Sequence, residues 1–188
     1  METNKRSPAA RMLRWVLMMG LLLAGSQLSA GEPCLKLVFN EYCLGGDIDQ
    51  LMLQRKGYVH QEQEGERRAL IYADDRDLIY VLAFQGRIYK VVRKYGSETL
   101  ITFEDLLRLL NDKYGPSSDE SRYPAYVRSQ ASKIGAIRRG DGRERHSWRP
   151  QGQPWLVRLS WTRELGLALE YVADQLANEQ SRLQAEGL

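Results

Sequence analysis

Two histidines occur among the 188 residues, and a serine or cysteine nucleophile needs a histidine as its general base. His60 precedes the polar run Gln61 to Glu64, so we expect a solvated imidazole there. His146 lies in an arginine-rich segment, where neighbouring positive charge disfavours its protonated form. The sequence contains none of the motifs of serine hydrolases, zinc peptidases, phosphate loops or dinucleotide-binding folds. We therefore predict no catalytic residues and do not expect an enzyme.

Acidic residues are abundant but give no sharper indication of a site. With 24 Asp and Glu in the chain, some pair of carboxylates at glycosidase spacing is unavoidable in any fold. Asp74, Asp75 and Asp77 cluster, but they lack the loop glycine and terminal glutamate of a calcium-binding EF-hand. Two cysteines and two histidines are too few for a zinc ribbon. We predict neither a metal nor a cofactor.

The segment 138–149 is a local charge anomaly, because five arginines stand there against Asp141 and Glu144. Guanidinium groups suit carboxylates, phosphates and aromatic faces, and tryptophans bracket the segment. This pattern predicts a recognition element on a flexible loop, and its alternative is a solvated loop tip. The candidate binding residues are Arg138, Arg139, Arg143, Arg145, His146, Trp148, Arg149 and Trp155.

The first thirty residues have the pattern of a secretory signal peptide. Four basic residues precede an apolar run over 15–24, which is about half of the roughly 20 residues that span a membrane. A spanning helix is therefore the less favoured alternative, and an uncleaved leader would be the one link to a membrane. Cleavage fits best after Ala30, with a second small-residue site at 24–26. The leader predicts a periplasmic or secreted protein.

Removing this leader takes away four basic residues and one acidic residue, which leaves 23 of each charge. A neutral domain has no overall field to draw it onto nucleic acid. We therefore expect no nucleic-acid partner.

Export gives meaning to Cys34 and Cys43, since paired thiols in an oxidising compartment form disulfides. A bridge over so short a loop contributes about 2 to 3 kcal/mol. The apolar residues between them have helical spacing: Leu35, Val38, Phe39 and Tyr42. A straight helix would hold the cysteines about 13 Å apart, whereas a disulfide requires Cα atoms within about 7 Å. We expect the bridge, with the stretch bent or frayed; a redox role is the alternative, although no C-x-x-C is present.

The remaining sequence alternates helical and strand patterns. Asp47 can cap a helix over 48–56, and 61–68 is expected to be an exposed loop. Strands are predicted over 69–73, 78–84 and 87–94, the last two joined by Gln85-Gly86. The imperfect alternation of the third strand indicates a bulge.

A leucine-rich helix follows over 103–114, with Thr102 as its N-cap and Gly115 as its end. We expect it to pack on the sheet; a groove-binding helix is the alternative. A long polar loop is predicted over about 117–154, with at most a brief helix or strand near 125–137. A second hairpin, 155–161 with 165–172, and a terminal helix over 173–186 complete the pattern.

Together these observations predict a signal peptide over 1–30 and one small α+β domain over 31–188. Its mainly antiparallel sheet of two hairpins is packed by a central amphipathic helix. The expected function is that of an exported, non-enzymatic protein that binds another envelope or secreted protein as an adaptor, assembly factor or enzyme inhibitor. The alternatives are a cell-wall polymer hydrolase with a carboxylate pair and a small-ligand carrier with an apolar pocket.

Overall fold

The computed structural model describes residues 34–186. Within that range the chain forms an eight-stranded sheet, a separate two-stranded hairpin and four helices. The predicted α+β fold with a mainly antiparallel sheet and a C-terminal helix is therefore confirmed. The predicted signal peptide lies outside the described residues. Among the residues that are described, no helix is long and apolar enough to cross a membrane.

Every strand pairing is antiparallel. The large sheet has the order β3–β4–β5–β6–β10–β9–β8–β7, while β1 and β2 pair with each other. In chain order the elements are β1 (Lys36–Val38), β2 (Tyr42–Leu44), α1 (Ile48–Gln54), β3 (His60–Glu64), β4 (Arg67–Asp74), β5 (Asp77–Phe84), β6 (Arg87–Lys94), α2 (Leu100–Tyr114), β7 (Ser118–Asp119), α3 (Gln130–Arg139), β8 (Glu144–Trp148), β9 (Trp155–Thr162), β10 (Gly166–Ala173) and α4 (Asp174–Glu186).

A disulfide closes the first hairpin. Cys34 and Cys43 are bonded, with Cα atoms 5.4 Å apart, as expected from the sequence. The chain between them is not helical, because Phe39 and Asn40 adopt left-handed φ values of 50° and 62° and reverse its direction. Val38 then pairs with Tyr42 across the hairpin, so residues four apart share a buried face without a helix.

Both predicted hairpins of the large sheet are present. Gln85 and Gly86 join β5 to β6 with positive φ values of 50° and 80°, the geometry that a two-residue hairpin loop requires. Between the pairs Leu82–Lys90 and Ala83–Ile88 the register shifts, which leaves Tyr89 as the extra residue of a bulge in β6. The bulge explains why the apolar pattern of this strand alternates imperfectly.

The two faces of the sheet differ in what covers them. We call inner the face that packs against α1, α2, α3 and the disulfide-closed hairpin; its fully buried side chains include Leu70, Val81, Val91, Val157, Leu159 and Leu167. The opposite, outer face has less cover. The terminal helix α4 contacts β6 and β10 and flanks the outer-face residue Phe84. The β8 and β9 part of the outer face therefore presents polar side chains.

Two local predictions need correction. Thr99, rather than Thr102, caps α2, because its side chain accepts a hydrogen bond from the Thr102 backbone N–H at 3.1 Å. The polar run over 61–68 is not a loop. Most of it forms β3 and the start of β4, and all five residues of β3 are exposed. An edge strand is held by its backbone pairing with β4 and can consist of polar residues, so no apolar pattern in the sequence indicates it.

The predicted long loop over 117–154 also needs correction, since it contains β7, α3 and β8. Ser129 and Ser132 form a capping box at the start of α3, and Gly140 in the left-handed conformation ends it. The helix is longer and lies further along the chain than a brief element near 125–137. Its few apolar residues, among them Ile134 and Ile137, are enough to seat it on the inner face.

Reducing the disulfide should destabilise the fold without abolishing it, since the bridge closes a loop of nine residues. We expect the free energy of unfolding of Cys34→Ser/Cys43→Ser to fall by about 2 to 3 kcal/mol. Urea denaturation followed by tryptophan fluorescence measures this loss. Reductant should lower the stability of the wild-type protein by the same amount and leave the stability of the variant unchanged. A variant with an unchanged midpoint would show that the bridge contributes nothing to stability.

Candidate binding surface

Side chains of β8 alternate between the two faces of the sheet. Glu144, His146 and Trp148 lie on the inner face, where His146 and Trp148 are buried. Arg145 and Ser147 lie on the outer face. Neighbours in the sequence are therefore separated by the thickness of the sheet.

Strand register brings three arginines together on the outer face. Arg145 pairs with Ser160 and Ser147 pairs with Arg158, so Arg145 and Arg158 are diagonal neighbours on adjacent strands. Arg143 precedes Arg145 by two residues and shares its face. We call Arg143, Arg145 and Arg158 the arginine row.

A buried carboxylate anchors one end of this row. Glu170 is 5% exposed and pairs with Arg158, which lies opposite it on β9. Its Oε2 atom is 2.8 Å from Lys90 Nζ and 3.5 Å from an Arg158 terminal nitrogen. Lys90 and Arg158 already share this one carboxylate. The remaining arginines of the row, Arg143 and Arg145, therefore keep an excess of positive charge.

Arg143 and Arg145 form no ion pair with any residue in 34–186, and the Nε atoms of all three arginines are buried without a hydrogen-bond acceptor there. Two other arginines with an unbonded Nε are neutralised: Arg55 pairs with Glu41, and Arg93 pairs with two aspartates.

Burial lowers the pKa of Arg145, and the neighbouring charges of Arg158 and Arg143 lower it further. A guanidinium loses its proton more readily where burial and neighbouring positive charges disfavour its charged form. The row thus concentrates positive charge, which the neighbouring carboxylates of Glu170 and Glu120 offset only in part.

An open depression next to the row adds a fourth arginine. Its lining includes Arg122, Arg143, Arg145, Thr162 and Glu164. Arg122 and Arg143 exchange backbone hydrogen bonds of 2.8 and 2.9 Å, which fixes the spacing of their side chains. Planar guanidinium groups on a rigid sheet can bind carboxylates through paired hydrogen bonds.

Among residues 34–186 no cluster of three or more metal-ligating side chains exists.

Three of the arginines predicted from the sequence lie away from the row. Arg138 and Arg139 occupy the last turn of α3, where Arg139 Nε donates to Asp141 at 2.8 Å. Arg149 is paired with Asp174 at the start of α4. The predicted arginine segment is therefore divided among three places.

The predicted tryptophans do not flank the arginines. Trp148 is buried on the inner face, and its Nε1 donates to Asn111 Oδ1 and Gly115 O at 3.1 and 3.0 Å. Trp155 is also buried, between Tyr114 and Tyr171. The predicted arginine loop flanked by tryptophans is therefore not what the structure contains. Both tryptophans lie in the core, and the arginine row lies on the opposite face of the sheet.

His146 also belongs to the core. Its Nδ1 atom is 3.0 Å from Ser117 Oγ, and its Nε2 atom is 3.4 Å from Glu144 Oε1. The expectation that neighbouring arginines set its environment is wrong, because strand alternation places Arg145 across the sheet. Burial alone would raise the pKa of Glu144, but hydrogen bonds from His146 and Tyr123 and the Lys133 charge outweigh it and lower that pKa.

Sequence reasoning missed Arg158, Lys90 and Glu170. A signal for two of them existed, because the predicted turn at 162–164 sets the hairpin register that puts Arg158 opposite Glu170. Lys90 reaches Glu170 across the pairing of β6 with β10, which nothing in the sequence indicates.

Comparison with known proteins identifies no family: no protein-family model matches the chain, and no curated protein matches it. A cysteine-rich secretory protein from Staphylococcus aureus is similar in structure, with 8% identity over 70% of this chain and 44% of that one and a TM-score of 0.40. An extracellular protein containing an SCP domain from Bacillus anthracis shares 11% identity over 81% of this chain and 50% of that one, with a TM-score of 0.38.

This chain therefore spans half or less of each of those two chains. Its own disulfide fits a secreted protein, since such bonds persist in oxidising compartments.

Replacing Arg145 tests whether the row is maintained for stability. Arg145→Met removes a half-buried cation beside two others, so the free energy of unfolding should stay unchanged or rise by up to about 1 kcal/mol. Arg93→Met is the matched control and should lose about 1 kcal/mol, because it leaves Asp74 and Asp77 without their cation. Equal losses in urea denaturation for the two variants would contradict the uncompensated charge of Arg145.

Glu144→Gln should make the stability less dependent on pH. The native carboxyl has a lowered pKa, so its contribution is present at neutral pH and disappears as the pH falls through that value. We expect a loss of about 1 to 2 kcal/mol at pH 7 that shrinks below about pH 4, where the wild-type carboxyl is protonated too. Urea denaturation between pH 3 and 7 measures this, with the exposed Glu104→Gln as control. A difference that stays constant with pH would contradict the assignment.

Proposed function

We propose that this protein is exported and binds an acidic segment of another envelope or secreted protein through the arginine row. In that role it would serve as an adaptor, an assembly factor or an inhibitor of an extracytoplasmic enzyme. The observation that carries the proposal is the pair Arg143 and Arg145, whose guanidinium groups are half-buried, adjacent and without an ion pair in residues 34–186.

Holding like charges together costs folding free energy, and elsewhere in the sheet this chain neutralises its arginines. Arg93, for example, contacts Asp74 and Asp77 and also lies over the Phe39 ring at 4.9 Å. An arrangement that is unfavourable in the free protein becomes favourable when a partner supplies the missing negative charge. Strands β8 and β9 hold the row in place, so little entropy is lost on binding.

The chemistry of the row favours carboxylates on a protein over an extended polyanion. The row is short and ends at Arg158, whose charge is shared with the buried Glu170, so it does not offer a continuous basic track to a phosphate backbone. The residues after the predicted leader carry equal numbers of basic and acidic side chains, so no general field attracts nucleic acid. An acidic loop or tail can instead place two carboxylates against Arg143 and Arg145.

Neither alternative function gains support from the described residues. A carboxylate-pair hydrolase needs an acid with a raised pKa, whereas the carboxyls with shifted values, Asp119, Asp141 and Glu144, all have lowered ones. A ligand carrier needs a pocket of about 300 Å³ or more. The space between α2, α3 and β9 holds about 20 Å³, and the larger depressions, such as the one beside the arginine row, are open to solvent.

Binding of a fluorescent hexaglutamate peptide, followed by anisotropy, tests the chemistry of the row. Arg143→Ala and Arg145→Met should each weaken binding about tenfold, the effect of losing one charged hydrogen-bonded contact. Arg108→Ala is the matched control and should bind as the wild type does, since Arg108 is exposed on α2 and paired with Asp105. Equal affinities for all four proteins would contradict the proposal.

Crosslinking in intact cells tests the partner. A photoreactive residue at Ser147, on the outer face, should capture a protein that the same residue at Leu109, on α2, does not. Arg145→Glu should remove that adduct. Capture that is unaffected by Arg145→Glu, or a full-length product in the cytosol with both cysteines reduced, would overturn the assignment.

A further inference from the structure

A second polar cluster lies on the inner face, away from the arginine row. Ser117 follows the end of α2, and its Oγ atom is 3.0 Å from His146 Nδ1. His146 Nε2 is in turn 3.4 Å from Glu144 Oε1. A hydroxyl, an imidazole and a carboxylate therefore stand in a continuous chain.

The state of Glu144 decides the direction of these hydrogen bonds. Its second oxygen accepts from the Tyr123 hydroxyl, and Lys133 Nζ lies 3.7 Å away. These contacts lower the pKa of Glu144 against the effect of burial, so the carboxylate is ionised and can only accept. The hydrogen of a neutral His146 then sits on Nε2, and the Nδ1 lone pair faces Ser117.

The imidazole is packed in the core, whereas Ser117 is only half-buried. His146 is 8% exposed and packs against the Phe103 ring at a centroid distance of 5.9 Å. Ser117 is half-buried, and its neighbours Ser118 and Asp119 are exposed. Ser117 therefore lies at the boundary between the buried imidazole and solvent.

We infer that Ser117 is a nucleophile activated by His146, with Glu144 as the positioning residue that fixes the tautomer. The substrate class is carboxylic esters, because an alcohol leaves with less assistance than an amine and His146 is the one group in contact with Ser117 Oγ, among the described residues, that can take up a proton and return it. This activity goes beyond the proposed binding function and uses residues on the opposite face of the sheet.

The proposed reaction is an acyl transfer through Ser117. Ser117 Oγ bonds to the carbonyl carbon while its proton moves to His146 Nδ1, and the carbonyl electron pair moves onto oxygen. When the tetrahedral adduct collapses, the bond to the leaving oxygen breaks and His146 returns the proton to that oxygen. The products are an alcohol and an acyl ester of Ser117. Water then attacks this ester with the same histidine as base, which releases the acid.

Labelling of the full chain with a fluorophosphonate probe tests the nucleophile. Such a probe bonds its phosphorus to Oγ and expels fluoride, so we expect a single adduct that peptide mass mapping places on Ser117. Ser117→Ala should abolish it, and His146→Gln should slow it about 100-fold, the size of a general-base contribution. Ser147→Ala, on the outer face, is the control and should label at the wild-type rate. The proposal is overturned if folded wild-type protein labels at Ser117 no faster than at Ser118.

Because His146 is buried, unfolding of its variant must be separated from loss of the base. Urea midpoints identify a misfolded His146→Gln, in which case Ser117→Ala, which removes one hydroxyl oxygen, decides alone. A burst of one nitrophenolate per chain from p-nitrophenyl acetate in the wild type, absent in Ser117→Ala, supports acyl transfer; equal traces contradict it.

Nitrogen-15 NMR tests the role of Glu144 separately. His146 should show a protonated Nε2 and an unprotonated Nδ1 in the wild type, and a mixture of tautomers in Glu144→Gln. A spectrum that Glu144→Gln leaves unchanged would show that the carboxylate does not position the imidazole.

Discussion

Strict alternation of side chains along β8 is the constraint on which this molecule depends. Five consecutive residues carry a carboxylate, a guanidinium, an imidazole, a hydroxyl and an indole, and the pleat sends them to opposite faces by turns. A shift of one residue in the pairing with β9 would bury Arg145 under α2 and expose Trp148. The core tryptophan, the Ser117–His146–Glu144 chain and the arginine row are therefore consequences of one register.

The pairing of β6 with β10 has a comparable role at the centre of the sheet. It joins the part built on the disulfide-closed hairpin and α1 to the part covered by α2 and α3. It also brings Lys90 to Glu170, and so ties the charge balance of the outer face to a contact between segments about eighty residues apart. The face that we propose to bind a partner thus exists only in the completed fold.

Local rules were sufficient for much of this fold and failed where contacts are long-range. Gln85-Gly86, the bulge at Tyr89, the Asp47 cap and the Cys34–Cys43 bridge each follow from a few adjacent residues, and each is present. The edge strand β3 was missed and the helix α3 was expected only as a brief element near 125–137, because polar residues form them once a neighbouring strand or an inner face is available. For the site, composition identified Arg143 and Arg145 as unusual, but only the sheet register separates them from Trp148 and adds Arg158. Ser117 has no sequence signal at all, since 29 residues separate it from His146.

The ends of the large sheet have a consequence for how the molecule behaves in a crowded compartment. Within residues 34–186, every strand of the large sheet except the outermost two is paired on both sides, and those two are β3 and β7. The first carries Glu62 and Glu64 on a fully solvated strand, so antiparallel pairing with a second copy would bring carboxylates together. The other is two residues long. Both edge strands are therefore poor templates for pairing with the sheet of a second copy.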